Sequence, residues 1–396
     1  MDSQVQLKLL RRRWLWVAAF YFLSILFVYR LGQFGGSAAY AGQWLLQSTA
    51  AAAYCLWVLW RYLPENYRTG ETAVLATFGW GNRLTLLRGV LISMVAGFVF
   101  IPWPAGRLAW LPALLYTTAD IADFLDGYAA RITNHVTGLG VRLDMEFDSL
   151  GMLIVSFLAV WYAQLPPWYL FIGLARYFFL IGIRIRKKRG YPEYPLPPSV
   201  HRRTAAGFQM GFMSVVLWPI LPAEAATIGG TIFAVATSAS FLRDWMVVTG
   251  YLDPRSDQYK ARQRQAYRFF LFYLPVVLRL VFAVCVLMLA LEADALWQPA
   301  DWVALFSAWH LPWPAFLATF FAITGVAAAV MITLGIAGRI AAIVVMFPLG
   351  FDMLVNGANL FNGAALACGV TIALLGSGAF SLWQPEEEFV KQRAGE

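Results

Sequence analysis

The sequence predicts an all-α, polytopic integral membrane protein of about twelve transmembrane helices. Three observations carry this. Of 396 residues, 60% are hydrophobic and 13% charged, with a mean hydropathy of +0.62, too little polar surface to cover a soluble domain. Apolar stretches of about 18 residues or more recur along the chain, each long enough to cross a bilayer as a helix. Lys and Arg gather in the connections on one side of that helix count, as they do in cytoplasmic loops.

In chain order the spans fall near 14–32, 40–61, 84–103, 108–131, 143–164, 167–185, 205–222, 225–243, 268–292, 312–334, 338–355 and 363–383. The first, WLWVAAFYFLSILFVYRLG, follows Arg11–Arg13 and has the outline of a signal peptide. No small-residue cleavage site follows it and the next span comes at once, so a retained helix is expected. The stretch PENYRTGETAVLATFGWGN is polar and amphipathic and predicts an interfacial helix ahead of the third span. Tight turns such as QLPP, and the tryptophan-rich ALWQPADWVALFSAWHLPW, fall on the side with few basic residues. The basic connections RIRKKRG, HRR and YKARQRQAYR fall on the other side with both termini. That side is expected to be the cytoplasmic face of a bacterial inner or plasma membrane.

The net charge of +8 lies beside apolar spans, a pattern that argues against nucleic-acid binding. Cys55, Cys285 and Cys368 are scattered through apolar runs and form neither a disulfide framework nor a metal cluster. Three histidines, His135, His201 and His310, argue against a histidine-ligated metal or haem. His135 and His201 are expected to be solvated.

The charge that remains to be explained lies in DFLDGYAARITNHVTGLGVRLDMEFD. On a helix Asp123 and Asp126 share a face, and Gly127, Ala130 and Arg131 continue roughly the same stripe. Gly140, Asp144 and Asp148, spaced by four, share a face of the next helix. Two helix ends can therefore aim four carboxylates into one small volume. Bare carboxylates that close repel each other and lose solvation near a membrane. Divalent cations resolve this: oxygen-only ligands suit Mg²⁺ or Mn²⁺, and two such ions can clamp a diphosphate. The small residues Gly127, Ala130 and Gly140 would let a phosphate-bearing ligand approach the backbone.

The pattern Asp123-x2-Asp126-Gly127-x2-Ala130-Arg131-x8-Gly140-x3-Asp144-x3-Asp148 resembles the complete signature of the CDP-alcohol phosphotransferase family. Its identities match by chance on the order of 10⁻⁹ times per start position. NRLTLLRG, with Asn82, Thr85 and Arg88, is similar to the entry of that family's first core helix, with Gly81 in place of a proline. ARYFFLIGIR resembles its fourth. The resemblance implies a six-helix core over roughly 65–250, with the interfacial helix at its start. Two N-terminal helices (1–64) precede it, and a basic linker (251–265) follows.

It implies further that Asp123, Asp126 and Asp144 hold Mg²⁺ or Mn²⁺, with Asp148 as a further ligand or as the catalytic general base. Asn82, Thr85, Gly127, Ala130, Arg131 and Gly140 would form the nucleotide site. The implied reaction transfers a phosphatidyl group from CDP-diacylglycerol to an alcohol acceptor, with release of CMP. Family members often dimerise through the core, which makes a homodimer an expectation. Two other readings stand beside this one. A soluble CDP-alcohol, of the choline or ethanolamine type, could donate to diacylglycerol. A transporter or scaffold could use the aspartates as an ion site or as salt-bridge partners.

DMEFDSL carries Met145 and Ser149 where members with phosphorylated acceptors often have proline and a basic residue. Against that, Arg176, inside an apolar run, together with Arg184, Arg202 and Arg203 could bind an acceptor phosphate. Positive-inside loop charge explains Arg202 and Arg203 equally well. Asp120 is read as a supporting or helix-pairing residue, and Glu146 as facing away from the aspartate stripe. The last region, 266–396, resembles the DoxX-like four-helix family through Gly325, Gly335, Arg339 and the terminal GAFSLW, features that could be architectural. Arg279 there is expected to pair with Asp352 or to snorkel to the interface.

Overall fold

A computed structural model describes residues 3–31, 38–68, 70–197, 200–292 and 296–386. They are mainly α-helical, with short 3₁₀ and π segments, turns, loops and isolated bridges between, as the hydropathy pattern predicts. The chain divides into two compact units, Met1–Ala163 with Met213–Pro219, and Gln164–Phe212 with Ile220–Glu396.

The first unit holds α1 (Ser3–Leu31), α2 (Ala38–Tyr62), α3 (Trp80–Ala96), α4 (Leu111–Ile132) and α5 (Gly138–Trp161). Its centre is α3, buried along most of its length and packed against α2, α4 and α5. Small residues let it approach its neighbours closely. A Cβ on Gly81 would stand 2.8 Å from Ala130 Cβ and 2.9 Å from Asp126 O of α4. One on Gly89 would meet the Tyr21 hydroxyl and the Phe147 ring. Pro112 starts α4 in the first turn, where its missing N–H costs nothing. Thr137 caps α5, its Oγ1 accepting from Gly140 N at 3.1 Å.

The second unit holds α6 (Leu170–Lys188), α8 (Ala223–Val248), α9 (Asp257–Tyr267), α10 (Leu274–Glu292), α11 (Pro299–Ala308), α12 (Pro314–Leu334), α13 (Gly338–Asn356) and α14 (Leu360–Leu375). Helix α7 (Val200–Val216) runs from this unit into the first. Helices α10, α12, α13 and α14 pack together. Between α9 and α10 a π-helical turn covers Arg268–Tyr273. Pro275 has no N–H to continue the ladder to Leu271, and the nearby Phe272 carbonyl accepts from Ala379 N at 2.9 Å. Gly325 lets α12 meet α13, since a Cβ there would lie 2.5 Å from Pro348 Cγ. Its role is architectural.

Three expectations need correction. Among the described residues, six helical stretches rather than twelve are long and apolar enough to cross a membrane: Gln4–Arg30, Pro167–Lys188, Ala223–Val248, Asp257–Glu292, Pro314–Leu334 and Gly338–Asn356. The other expected spans are also helical. However, α3, α7 and α14 run only 17, 17 and 16 residues, α2 is diluted by Gln43, Gln47, Ser48 and Thr49, and α4 and α5 each carry three acidic side chains.

The segment before α3 is not an interfacial helix. After a short 3₁₀ turn at Leu63–Glu65 it doubles back through a Tyr67–Val74 bridge, with Gly70 at φ +90° in the bend. The buried Asn66 side chain donates to the carbonyls of Leu75 (2.9 Å) and Thr77 (3.1 Å), which holds the loop in place of a helical ladder. The tryptophan-rich stretch contains a helix, α11, whose Trp302 and Phe306 meet Phe351 of α13 edge to face.

Arg279 neither pairs with Asp352 nor snorkels. It is buried and donates to the carbonyls of Ile332, Thr333, Ser377 and Ala379 at 2.9–3.3 Å. These are the open carbonyls at the end of α12 and in the loop that follows α14. Asp352 instead accepts from Asn356 and Asn362.

Candidate active site

The four aspartates come from two helices joined by a short loop. Asp123 and Asp126 lie one turn apart near the end of α4, and Asp144 and Asp148 lie one turn apart in the first half of α5. One carboxylate oxygen each from Asp123, Asp126 and Asp144 falls within 4.8 Å of the others. Asp126 is buried, while Asp123 and Asp144 are half-buried. Asp148 joins them through α3, whose Arg88 is 1% exposed and lies among all four. Arg88 Nη1 contacts Asp123 Oδ1, lies 3.2 Å from Asp144 Oδ1 and 3.7 Å from Asp126 Oδ2. Nη2 reaches Asp148 Oδ1 at 2.9 Å and donates to Asp144 O at 3.1 Å.

The rest of the polar face of α3 locks this cluster. Thr85 Oγ1 donates to Asp126 Oδ2 at 2.7 Å, fixing the same carboxylate oxygen that lies nearest Arg88. Asn82, 3% exposed, donates to Thr137 Oγ1 (3.1 Å) and to Asn66 Oδ1 (3.3 Å). One side chain therefore ties the start of α5 to the loop ahead of α3. That loop also bridges to the α4–α5 connection, with Arg68 opposite Thr137 and Gly138 N donating to Tyr67 O at 3.0 Å. The two aspartate-bearing helices are thus held in register at their site ends.

The small residues divide. Ala130 is the contact point for Gly81, and a Cβ on Gly140 would stand 2.6 Å from Asn82 Oδ1, so both have a packing reason to be small. Gly127 meets only the Arg131 guanidinium, 3.3 Å from where its Cβ would be, and Arg131 is exposed. Asp120 accepts from Ser214 Oγ at 3.2 Å, the helix-pairing bond expected of it. Glu146 accepts from Tyr54 OH at 3.2 Å, off the aspartate face. His135 is half-buried against Gly79 rather than solvated, and partial burial, then the charge of Arg68, lowers its pKa from the ordinary value of 6.5. Ser149 is buried and donates to Met145 O at 2.8 Å within its own helix.

Of the arginines expected at an acceptor, Arg176 is half-buried and Arg184 exposed, both on α6 of the second unit. The side chains of Arg202 and Arg203, like that of His201, lie outside the described residues. Arg88 stands in the NRLTLLRG motif, but its place among the carboxylates was not read from it. The signal was there. Asn82, Thr85 and Arg88 recur every three residues on one stripe of an apolar helix, and a charge so placed needs counter-charges.

A set of carboxylates with no nitrogen or sulfur donor, already gathered around a cation, suits a hard divalent ion. Two such ions can clamp a diphosphate, so the set also suits phosphate-ester chemistry. Residues 79–247 match the family described as CDP-alcohol phosphatidyltransferase, and the chain belongs to that family.

Among curated relatives, a CDP-diacylglycerol--glycerol-3-phosphate 3-phosphatidyltransferase of Rickettsia bellii is 33% identical over 138 residues, which cover 34% of this chain and 73% of that protein. The protein of the same name from Bacillus subtilis is 31% identical over 118 residues, 27% of this chain and 61% of the relative. A putative cardiolipin synthase of Mycobacterium tuberculosis is 28% identical over 137 residues, 34% and 63% of the two chains. This chain thus spans between about three-fifths and three-quarters of these relatives. No solved structure matches it.

Proposed function

We propose that this protein transfers a phosphatidyl group from CDP-diacylglycerol to an alcohol acceptor and releases CMP. The observation that carries the reading is the convergence of all four signature aspartates of α4 and α5 on one point, Arg88 of α3. Asp123, Asp126 and Asp144 would hold Mg²⁺ or Mn²⁺, with Asp148 at the edge of the set. When bound, such ions supply charge neutralisation for the diphosphate and the departing CMP.

The chain's own residues do the rest. Thr85 keeps Asp126 oriented, and Asn82 with Thr137 keeps α5 in register with α3. Gly127 leaves backbone accessible beside Arg131, where a nucleotide phosphate would find a planar donor. Asp148, half-buried and one turn beyond Asp144, accepts the proton of the acceptor hydroxyl. The hydroxyl oxygen bonds to the phosphorus that carries diacylglycerol, and the bond from that phosphorus to the CMP oxygen breaks. CMP leaves with the electron pair. In this reading the site opens to the basic, cytoplasmic side, and the core runs over 65–250.

Names of the relatives offer two kinds of acceptor. Glycerol 3-phosphate is one. The departure at Ser149, whose hydroxyl is turned into its own helix where related members place a basic residue, favours the second, a lipid alcohol of the cardiolipin-synthase type. The DoxX-like resemblance of 266–396 adds no chemistry to the proposal. Purified protein offered CDP-diacylglycerol with each acceptor in turn tests it. One acceptor should support metal-dependent CMP release and yield the matching lipid. Release only from CDP-choline or CDP-ethanolamine with diacylglycerol would replace the donor assigned here.

A further inference from the structure

The carboxylates of α4 and α5 already hold a cation of the protein's own. Arg88 is almost wholly buried, and its Nη1 lies among the same three carboxylates, Asp123, Asp126 and Asp144, that are close enough together to share one ion. Its Nη2 adds Asp148. An ion such as Mg²⁺ bonds oxygen at about 2.1 Å. Bound by those three carboxylates, it would need the space among their oxygens that Nη1 takes. Guanidinium and ion cannot both occupy it.

Without any cation, four carboxylates on two helices that both pack against α3 would repel one another across a poorly solvated space. Arg88 comes from a third helix, so its charge ties α4 and α5 to α3 as well as compensating them.

We propose that Arg88 is the resident counter-cation of this site. It fills the ion's place and holds α4 and α5 together in the metal-free protein, and it must withdraw toward Asp148 when a divalent ion enters. Arg88 is a positioning residue, and its presence sets a competition that weakens metal binding. The inference rests on the aspartates being the metal ligands, as proposed above, but not on the identity of donor or acceptor.

The test therefore reads metal binding and stability and leaves turnover aside. Full-length protein in detergent is stripped with EDTA and titrated with Mn²⁺ alone, followed by the free-Mn²⁺ electron paramagnetic resonance signal. Thermal unfolding is recorded with and without the ion. Wild type, Arg88→Gln, Arg88→Lys and Asp144→Asn are compared. The proposal expects Arg88→Gln to unfold at lower temperature in EDTA, to gain more from Mn²⁺ than wild type, and to bind it roughly tenfold tighter, about 1.4 kcal/mol. Arg88→Lys, with the charge on a single point, should fall between the two, and it carries the measurement if Arg88→Gln does not purify metal-free.

Equal or weaker Mn²⁺ binding in both Arg88 variants overturns the proposal while leaving the aspartate site standing, provided Asp144→Asn loses the ion. If wild type binds no Mn²⁺, or Asp144→Asn binds it as wild type does, the metal assignment itself fails and the proposal with it.

Discussion

Arg88 and Arg279 are both buried arginines in apolar helices, 1% and 7% exposed, and they are satisfied in opposite ways. Arg88 sits among four carboxylates. Arg279 donates to backbone carbonyls at the end of α12 and in the loop that follows α14, with Ser381 Oγ alongside. A guanidinium held by carbonyl dipoles completes the hydrogen bonding of helix ends, and its partners have no use for any other cation. One held by excess carboxylates is exchangeable, because a divalent ion suits the same ligands better. Arg339 follows the first pattern, donating to Ala373 O and Leu374 O at the end of α14. Counting buried charges would have ranked these arginines alike. Their partners separate chemistry from architecture.

The largest expected effect lies on the carboxylate side. Asp144→Asn should reduce CMP release at least ~10³-fold, about 4 kcal/mol of transition-state stabilisation, with little change in helical content by circular dichroism. Next comes Arg279→Gln, which strands several buried carbonyls. It should lose about 3 kcal/mol of stability, and the loss should be the same with Mg²⁺ or EDTA. A metal-dependent loss at Arg279 would break the contrast drawn above. Gly81→Leu should cost about 1–3 kcal/mol through overpacking against Ala130, seen as a lower unfolding temperature.

Thr85→Val removes the bond to Asp126 and should lower CMP release roughly tenfold, about 1.4 kcal/mol, without a comparable loss of stability. The smallest effect concerns His135. Its lowered pKa means that the folded protein prefers the neutral ring, so this contribution is present above pH 6.5 and is lost as pH falls through the lowered value. His135→Gln should remove that slight acid-side slope, measured as the difference in unfolding temperature between pH 7 and pH 5.

Much of this was legible in one dimension. The three- and four-residue spacings of Asp123, Asp126, Asp144 and Asp148 placed each pair on one stripe of its helix, and the apolar runs located the helices, although α1 begins at Ser3 ahead of its apolar run and α14 ends at Leu375, short of 383. The failures share a cause. Amphipathic composition predicted a helix at 65–79, yet Asn66 spends its side chain on Leu75 and Thr77, partners set by a loop that periodicity does not encode. The partners of Arg279 are carbonyls about 53 and 100 residues away, and carbonyls carry no sequence signature. At Ala130 and Gly140 the fold adds a packing reason for smallness, which in sequence looks the same as room for a phosphate. Arg88 is the most instructive case. Its residue type and its stripe were visible, but only the fold brings the ends of α4 and α5 to it.

The central claim is that these four carboxylates serve phosphatidyl transfer. It is tested most directly by CMP release from CDP-diacylglycerol with Mg²⁺ or Mn²⁺, wild type beside Asp144→Asn, across glycerol 3-phosphate and lipid-alcohol acceptors. Release that needs the ion, an acceptor and Asp144 is the predicted result. Wild-type protein that binds Mn²⁺ yet frees no CMP with any acceptor or CDP-alcohol donor would contradict it.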